Sequence, residues 1–297
     1  MKALIFGVNG QDGCYLKQII ENDNGEIYGV SRTQQPNFMQ GSVGDSMFVV
    51  RLVRDIQPDY IFHLAANSTT HYDALFENHE TISTGALNIL DAAWRYSKHS
   101  KIFLCGSGLQ FVNNPSGITE SDPFEARDPY SISRIQSVYA ARYFRELGLE
   151  IYIGYLFNHD SPLRSSRHVN QKIAQTAKRI YQGSKEFLEL GDLEVKKEFS
   201  FAGDIVNAIW TLVNNKHGVF EAVIGSGKAY SIHRWVELCF THYGLNWENH
   251  VVIKKGFKAD YTVLVCKPDT IFSLGWQPKV EIQQLCKMFC AGINEAI

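Results

Sequence analysis

The cysteine and histidine patterns that indicate disulfide-rich or metal-binding proteins are missing from this sequence. No two of its cysteines form a Cys-x-x-Cys pair, and its ten histidines show no spacing typical of metal ligands. The six cysteines are Cys14, Cys105, Cys239, Cys266, Cys286 and Cys290. Cys286 and Cys290 could share a helix face, but so dispersed a set favours buried, reduced thiols over a disulfide framework. We therefore expect no metal site.

Long apolar runs and blocks of like charge are also missing. No segment approaches the about 18 apolar residues that a membrane-spanning helix needs. The apolar start at Met1–Phe6 stops at Gly7 without the cleavage site of a signal peptide. Lysine and arginine number 29 against 31 aspartates and glutamates, so the net charge is −2. We expect a cytoplasmic protein that binds neither nucleic acid nor membrane.

What the sequence does contain is an alternation of strand and helix patterns. The predicted strands are 3–6, 27–30, 60–64, 102–105 and 151–156, and the predicted helices between them are 13–21, 47–56, 84–96 and 131–147. Such alternation predicts an α/β fold with a doubly wound parallel sheet of the Rossmann type. Helices follow at 169–181, 203–214 and 231–243. We predict a dinucleotide-binding lobe over 1–157, which later strands could rejoin, and a smaller C-terminal substrate-binding lobe over 158–297.

A glycine motif lies between the first predicted strand and the first helix. Its spacing is Gly-x-x-Gly-x-x-Gly, from Gly7 through Gly10 to Gly13. Glycines there allow a sharp turn and a close approach to a pyrophosphate, while the helix N-terminus offers N–H groups to the anion. The motif predicts a dinucleotide site, with a merely structural turn as the alternative.

Two residues bear on which dinucleotide is bound. Arg32 follows the second strand, where an arginine can pair with the 2′-phosphate of NADP and an acidic residue would bind the ribose of NAD. Arg32 therefore favours NADP(H), but because a lone loop arginine is often only a solvated charge, the choice between NAD(H) and NADP(H) stays open. Asp45 is a candidate contact for the adenine ring, or else a surface carboxylate.

A tyrosine and an arginine open the helix at 131–147. Tyr130 is followed four residues later by Arg134, and a cation one turn away stabilises the phenolate that acid–base chemistry on a hydroxyl requires. A buried structural tyrosine is the alternative. Arginine has a permanent charge but a larger, planar head group than lysine.

Taken together, these motifs resemble the extended short-chain dehydrogenase/reductase family, and within it the GDP-mannose 4,6-dehydratases. The segment Leu156–Arg164 is the most specific match, and 188–192, 197–204 and 274–278 are similar too. The resemblance implies a dinucleotide site at Gly7, Asn9, Gly10, Gln11, Asp12, Gly13, Arg32, Asp45, Leu64, Ala65, Ala66, Tyr130, Arg134, His159 and Arg164. It implies contacts to the nucleotide diphosphate of a sugar at Asn158, Val169, Lys172 and Lys197.

The departures from that family concern catalysis. Its enzymes carry a Ser-Thr-Ser-Glu run after the fourth strand, in which glutamate removes the proton for elimination of water. Here the run is Ser107-Gly108-Leu109-Gln110, and we interpret Gln110 as the residue in place of the glutamate. An amide is no general base near neutral pH. Arg134 and Lys197 also differ from the family, which carries lysine and arginine there.

The remaining set of Tyr130, Arg134 and Ser107 suffices for hydride exchange without dehydration. The sequence therefore predicts an enzyme that oxidises position 4 of a GDP-hexose or GDP-heptose, such as a GDP-manno-heptose used for capsule or lipopolysaccharide. A 4-keto reductase, an epimerase, a residual dehydratase and a catalytically silent dinucleotide-binding sensor stay open as alternatives. The resemblance also implies a homodimer through a four-helix interface formed by the helices at 84–96 and 131–147.

Overall fold

Seven parallel strands form the central sheet, in the order β11–β6–β5–β4–β1–β2–β3. Their bounds are β1 Lys2–Phe6, β2 Glu26–Ser31, β3 Met39–Gln40, β4 Tyr60–His63, β5 Lys101–Ser107, β6 Glu150–Leu156 and β11 Glu221–Ile224. The structure is a computed structural model and describes residues 1–257 and 259–292. The strand order reverses between β1 and β4, and such a switch point opens a crevice at the carboxyl ends of the strands. The predicted Rossmann-type fold is confirmed.

Helices cover both faces of this sheet and give it two apolar cores. They are α1 Gln11–Asn22, α2 Ser46–Ile56, α4 Gly85–Tyr96, α5 Pro129–Glu146 and α7 Ala202–Val213. On one face the side chains of α2, α4 and α5 pack against the sheet, and on the other those of α1 and α7 do. The short helix α3, Leu75–Asn78, leads through a wider turn at His79–Thr84 into α4.

Local sequence fixes where the helix bearing Tyr130 begins. The side chain of Asp128 accepts hydrogen bonds from the backbone N–H groups of Tyr130 and Ser131, at 2.8 and 2.9 Å. The hydroxyl of Ser131 in turn accepts from the N–H of Asp128 at 3.0 Å, which completes a capping box. Pro129 occupies the first helical position, where its missing N–H costs nothing. Tyr130 is thereby held in the first turn of α5.

A second lobe has its own apolar core between three helices, α6 Val169–Tyr181, α8 Ile232–His242 and α10 Ile282–Ala291. The remaining elements are the short strands β7 His159–Asp160, β8 Leu188–Leu190, β9 Lys196–Glu198, β10 Ser200–Phe201, β12 Ala229–Ser231, β13 Val251–Ile253 and β14 Val263–Leu264, with the helix α9 Asp269–Ser273. Within the described ranges no helix is both long and apolar enough to cross a membrane.

The two lobes are interleaved along the chain. β11 pairs in parallel with β6 and completes the edge of the central sheet, and α7 packs beside α1. By packing, residues 202–224 therefore belong to the Rossmann lobe, although they lie beyond the boundary expected at residue 157. The physical reason is that the apolar residues Ala222–Ile224 are fully buried only at that sheet edge.

Candidate active site

A cleft runs along the carboxyl ends of the central strands and contains two adjoining depressions that share Leu64 and Ala66. The first is lined by predicted cofactor residues, namely Gly7, Asn9, Gly10, Arg32, Leu64, Ala65 and Ala66. The second is lined by another predicted group, namely Asp12, Ser107, Tyr130, Arg134, Asn158, His159 and Arg164. Most of the predicted site residues thus meet in one cleft at the topological switch point.

The glycine turn is a cradle that leaves no room for side chains. Gly7 has a φ of +91°, and a Cβ at that position would lie 2.8 Å from the backbone nitrogen of Ala65. A Cβ on Gly13 would lie 2.4 Å from the carbonyl oxygen of Gly7. Because Gly10, which precedes the first residue of α1, has no side chain, the helix N-terminus opens into the cleft. This geometry fits the pyrophosphate of a dinucleotide.

Arg32 lines the first depression but is already paired. Its Nη1 donates to Oε1 of Glu77 at 2.7 Å, and the second oxygen of Glu77 accepts from the side-chain amide of Asn67 at 2.8 Å. Glu77 therefore links the loop after β2 to the segment after β4. The hydrogen bonds from Arg32 and Asn67 lower the pKa of Glu77, so this carboxylate stays ionised. Neither Glu77 nor Asn67 was predicted from the sequence.

Asp45 lies outside the cleft. Its carboxylate is exposed and accepts a hydrogen bond from the N–H of Phe48 at 3.1 Å, which caps α2. Asp45 is thus placed as a helix cap, and the structure does not bring it to the wall of the first depression. The residues that do form this wall there are Gly41, Ser42 and Val43.

Tyr130 and Arg134 lie together at the floor of the second depression. The guanidinium carbon of Arg134 is 5.0 Å from the centre of the Tyr130 ring, and its Nη1 donates to the carbonyl of Cys105 at 2.6 Å. Arg134 is buried, and its Nε has no partner among the described residues. Burial by itself would lower the pKa of Arg134, but the neighbouring Tyr130 and Cys105 raise it overall. A fixed positive charge therefore stands beside the phenol.

The turn after β5 presents Ser107 and Leu109 to the same depression, and not Gln110. Gln110 is fully buried, and its Oε1 accepts from the backbone N–H of Ser107 at 2.8 Å. The hydroxyl of Ser107 accepts from the N–H of Leu109 at 3.2 Å. Gln110 thus does not face the cleft, because the three-residue helix Gly108–Gln110 turns it inward. Leu109 is the apolar side chain that faces the cleft.

Asp12 and His159 join the first helix of the Rossmann lobe to the start of the second lobe. Nε2 of His159 lies 3.0 and 3.1 Å from the two carboxylate oxygens of Asp12. Burial acts against both charges, yet the pairing raises the pKa of His159 and lowers that of Asp12. Gln11 adds a second link, since its Oε1 accepts from the hydroxyl of Ser161 at 3.0 Å. Arg164 lines the cleft beside them.

A third depression begins where the second ends, because His168 lines one and Val169 lines the other. Its wall includes Lys197, which is buried and lies over the ring of Phe199 at 5.3 Å. The remaining walls include Leu190, Gly191, Asp192, Phe257, Asp260 and Tyr261. Burial lowers the pKa of Lys197 despite the opposing effect of Asp160. A buried ammonium group at a cavity wall fits an anionic ligand.

The other predicted substrate contacts divide between the cleft and the surface. Asn158 lines the second depression, and its buried side-chain oxygen has no partner among the described residues. Lys172 is exposed and donates to the carbonyl of Glu189 at 2.8 Å, outside all three depressions. His168 was not predicted, although it faces the second depression. Its position directly before the predicted contact Val169 is the signal that could have revealed it.

With this geometry described, comparison with known proteins identifies the family. A sequence profile of the GDP-mannose 4,6 dehydratase family matches residues 4–289. GDP-mannose 4,6 dehydratase 1 of Arabidopsis thaliana is 30% identical over 96% of this chain and 88% of its own length. The corresponding enzyme of Vibrio cholerae is 26% identical over 96% of this chain and 91% of its own.

The chain belongs to the GDP-mannose 4,6-dehydratase family. It is accordingly an enzyme, and the resemblance inferred from the motifs is confirmed.

Solved structures show the same fold at low sequence identity. UDP-glucose 4-epimerase of Thermotoga maritima, with UDP-glucose, superimposes with a TM-score of 0.87 at 21% identity, covering 99% of both chains. RMD of Pseudomonas aeruginosa, complexed with NADPH, gives 0.85 at 19% identity, covering 98% of this chain and 97% of that one. UDP-glucose 4-epimerase of Thermus thermophilus, in complex with NAD, gives 0.82 at 20%, covering 99% and 100%. These likenesses establish the short-chain dehydrogenase fold.

Proposed function

We propose that this enzyme oxidises position 4 of a GDP-hexose or GDP-heptose to the 4-keto sugar, without eliminating water. One observation carries the proposal: the turn after β5 presents Ser107 and Leu109 to the cleft, and neither can remove a proton from carbon. Asp12 is the one carboxylate among the described residues that line the second depression, and both its oxygens face His159. The proton acceptor that elimination requires is therefore not provided by a carboxylate.

The cleft does contain the groups that hydride removal needs. The fixed charge of Arg134 stabilises Tyr130 as a phenolate, which accepts the proton of the sugar hydroxyl and becomes a neutral phenol, and Ser107 hydrogen-bonds the reacting oxygen. A nicotinamide dinucleotide, when bound, supplies the hydride acceptor. The glycine cradle fits its pyrophosphate, and Arg134 and Asn158, each with a buried polar atom that has no partner among the described residues, line the cavity it would enter. Without elimination, the hydride does not return to the sugar, so a reduced cofactor accumulates with product.

The decisive experiment is mass spectrometry of the nucleotide sugar after incubation with GDP-mannose or GDP-manno-heptose and NAD or NADP. The expected product has lost two hydrogens, and one reduced cofactor forms for each sugar oxidised. Loss of water with no net cofactor reduction would refute the proposal. In that event His168→Phe should abolish the elimination, because His168, unlike His159, is not paired with Asp12 and is free to accept a proton near neutral pH.

Three further outcomes would also overturn the proposed reaction. Turnover that requires reduced cofactor and a 4-keto sugar would identify a reductase. An isomer of unchanged mass would identify an epimerase. Binding of dinucleotide without binding of any GDP-sugar would identify a sensor.

We propose that NAD is the preferred cofactor, because the guanidinium of Arg32 already forms an ion pair with Glu77. A 2′-phosphate at Arg32 would have to approach the ionised carboxylate of Glu77, and like charges repel. Glu77→Gln should tighten NADP binding about tenfold and change NAD binding less than about twofold. The exposed neighbour Glu80→Gln is the matched control, and it should alter neither dissociation constant. Tighter binding of NADP than NAD by the unaltered protein would contradict the proposal.

We propose a homodimer through α4 and α5, as in the four-helix interface that the family resemblance implied. Large apolar side chains on these helices are exposed, including Leu87 at 45% and Tyr143 at 62%. Tyr143→Glu should convert the dimer to a monomer in size-exclusion chromatography with light scattering. Tyr181→Glu, on α6 and equally exposed at 62%, is the control. A monomeric unaltered protein would refute the interface.

All six cysteines are free, which supports the reducing cytoplasm as the site of action.

A further inference from the structure

Three cysteines that lie far apart in the sequence meet in the core of the second lobe. Cys239 is on α8, and Cys286 and Cys290 are one turn apart on α10. The sulfur of Cys286 lies 3.6 Å from that of Cys239 and 4.0 Å from that of Cys290, and all three sulfurs lie within 4.8 Å of one another. We refer to Cys239, Cys286 and Cys290 as the thiol triad.

We propose that the thiol triad is a structural binding site for one thiophilic d¹⁰ metal ion, Zn²⁺ or Cu⁺, which links α8 to α10. Three sulfurs bound to one ion at about 2.3 Å are separated by about 3.8 Å in tetrahedral geometry and about 4.0 Å in planar geometry. The two separations from the sulfur of Cys286, 3.6 and 4.0 Å, bracket the first value and reach the second, and the sulfurs of Cys239 and Cys290 lie within 4.8 Å of each other. An ion can therefore be bound between the three sulfurs with a shift of at most about 1 Å in their positions.

The surroundings of the triad select a soft ion and a structural role. The three side chains are between 0% and 3% exposed, and Trp235, Phe240, Leu285 and Phe289 pack in the same core. Thiolate ligands select Zn²⁺ and Cu⁺ over the harder ions, which prefer oxygen. The triad belongs to a core separate from both sheet cores and lines none of the three depressions of the cleft. The ion would thus stabilise the second lobe without taking part in catalysis.

The two ions differ in how many ligands they require. Cu⁺ is satisfied by three sulfurs, whereas a tetrahedral Zn²⁺ needs a fourth ligand. His242 follows Cys239 by three residues at the exposed end of α8. It lies beside Tyr243, with ring centres 4.8 Å apart, and the hydroxyl of Tyr243 donates to the carbonyl of Cys290 at 2.9 Å. No His, Asp or Glu side chain of the described residues joins the triad within 4.8 Å, so Zn²⁺ would take its fourth ligand from a side chain that moves or from a water molecule.

The sequence alone did not predict this site, because its signal depends on the packing of two helices. Cys239 is 47 residues from Cys286, and the i,i+4 pair on α10 by itself is common in buried helices. Only the packing of α8 against α10 in the third core brings the third sulfur to the other two. The expectation of no metal site followed from spacing and could not account for this contact.

The test measures metal directly on the full-length protein, kept reduced throughout. Elemental mass spectrometry after reconstitution with Zn²⁺ or Cu⁺ alone should give about one ion per chain and show which is retained. Co²⁺ in place of zinc should give the near-ultraviolet absorption of thiolate-to-cobalt charge transfer. This measurement on the unaltered protein is independent of whether variants fold.

Variants then assign the site. Cys286→Ala with Cys290→Ala should lower the bound metal at least about tenfold, whereas Cys105→Ala and Cys266→Ala, two other buried cysteines, should keep it. Removal of metal by a chelator should lower the melting temperature of the unaltered protein and leave that of the double variant unchanged.

Three results would overturn the proposal. They are less than about 0.1 ion per chain after reconstitution, metal that persists in the double variant, and a mass lower by two hydrogens that maps to a Cys239–Cys286 disulfide in protein isolated without oxidant.

Discussion

The two halves of the cleft are the first depression, or cofactor half, and the second depression, or sugar half, and they differ in whether backbone or side chains form them. At the cofactor half the critical contacts are made by the backbone, where Gly7 and Gly13 approach their neighbours too closely for any side chain. At the sugar half, which is the second depression, the proposed chemistry depends on individual side chains, such as Tyr130, Arg134 and Leu109. In a backbone cradle, a side chain added at either glycine would push neighbouring backbone atoms apart. A catalytic side chain, by contrast, can be replaced by itself while the fold stays intact. The difference is consistent with our proposal, in which the cofactor site is kept and one step of the reaction is lost.

The largest expected effect is at the sugar half. Tyr130→Phe removes the phenolate oxygen that we propose accepts the substrate proton, and leaves the ring packed against Arg134. The turnover number should fall by about 10²- to 10⁴-fold while cofactor affinity changes little. Steady-state kinetics and isothermal titration calorimetry measure the two quantities. Retention of more than about a tenth of the activity would refute the acid–base role.

At the cofactor half the corresponding experiment alters the cradle. Gly13→Ala places a Cβ 2.4 Å from the carbonyl oxygen of Gly7, so β1 and α1 must separate. We expect a loss of about 2 to 4 kcal/mol in the free energy of unfolding, together with loss of cofactor binding. Gly10→Ala, whose Cβ would meet nothing closer than 3.3 Å, is the control and should cost less than about 1 kcal/mol. Equal losses would show that the cradle is not the constraint.

Two lysines test which cationic residues serve the sugar nucleotide. Lys197→Met should raise the KM for the GDP-sugar about tenfold with little change in kcat, whereas Lys172→Met should change KM less than about twofold. The contrast follows because Lys197 lines the third depression and Lys172 is exposed on the surface. Since burial lowers the pKa of Lys197, the KM of the unaltered enzyme should also rise earlier at alkaline pH than an ordinary lysine would cause. Equal effects of the two substitutions would contradict the assignment.

The smallest expected effect concerns the pair of Asp12 and His159, which joins the two lobes. The pKa of His159 is raised above its ordinary value of 6.5, and that of Asp12 is lowered below its ordinary value of 3.8. Their pairing therefore stabilises the fold fully between about pH 3.8 and pH 6.5. The contribution is lost as pH rises through the raised pKa of His159, and at the acid end as pH falls through the pKa of Asp12. His159→Gln should cost about 1 kcal/mol near pH 5 and less near pH 8, measured by chemical denaturation.

His168→Gln is the counterpart with the opposite sign. Burial and the charge of Arg164 lower the pKa of His168, so its protonation below pH 6.5 opposes folding. The variant should therefore gain stability relative to the unaltered protein as pH falls. The same pH trend for both histidines would show that their environments have been misassigned.

Features determined by residues close together in the sequence could be predicted, and features that depend on contacts between distant residues could not. The helix predicted at 169–181 begins and ends where α6 does, because its apolar spacing is a local property. β11 was missed because four residues carry little periodicity and become a strand only through burial beside β6. Asp45 illustrates another limit: an aspartate before a helix is also a capping signal, and that local role is the one the structure shows. The direction in which Leu109 and Gln110 point depends on one tight turn after β5. The thiol triad forms only because α8 and α10 pack together in the third core.

The return of β11 to the central sheet has a consequence for synthesis of the protein. The strand that closes the sheet beside β6 leaves the ribosome about seventy residues after β6 itself. Until then the edge of β6 has unpaired backbone groups, to which strands of other chains can add. The Rossmann lobe cannot complete its folding as an independent N-terminal unit, and much of the second lobe must be made first. Truncation after residue 157 should therefore yield an aggregating fragment and not a minimal dinucleotide-binding domain.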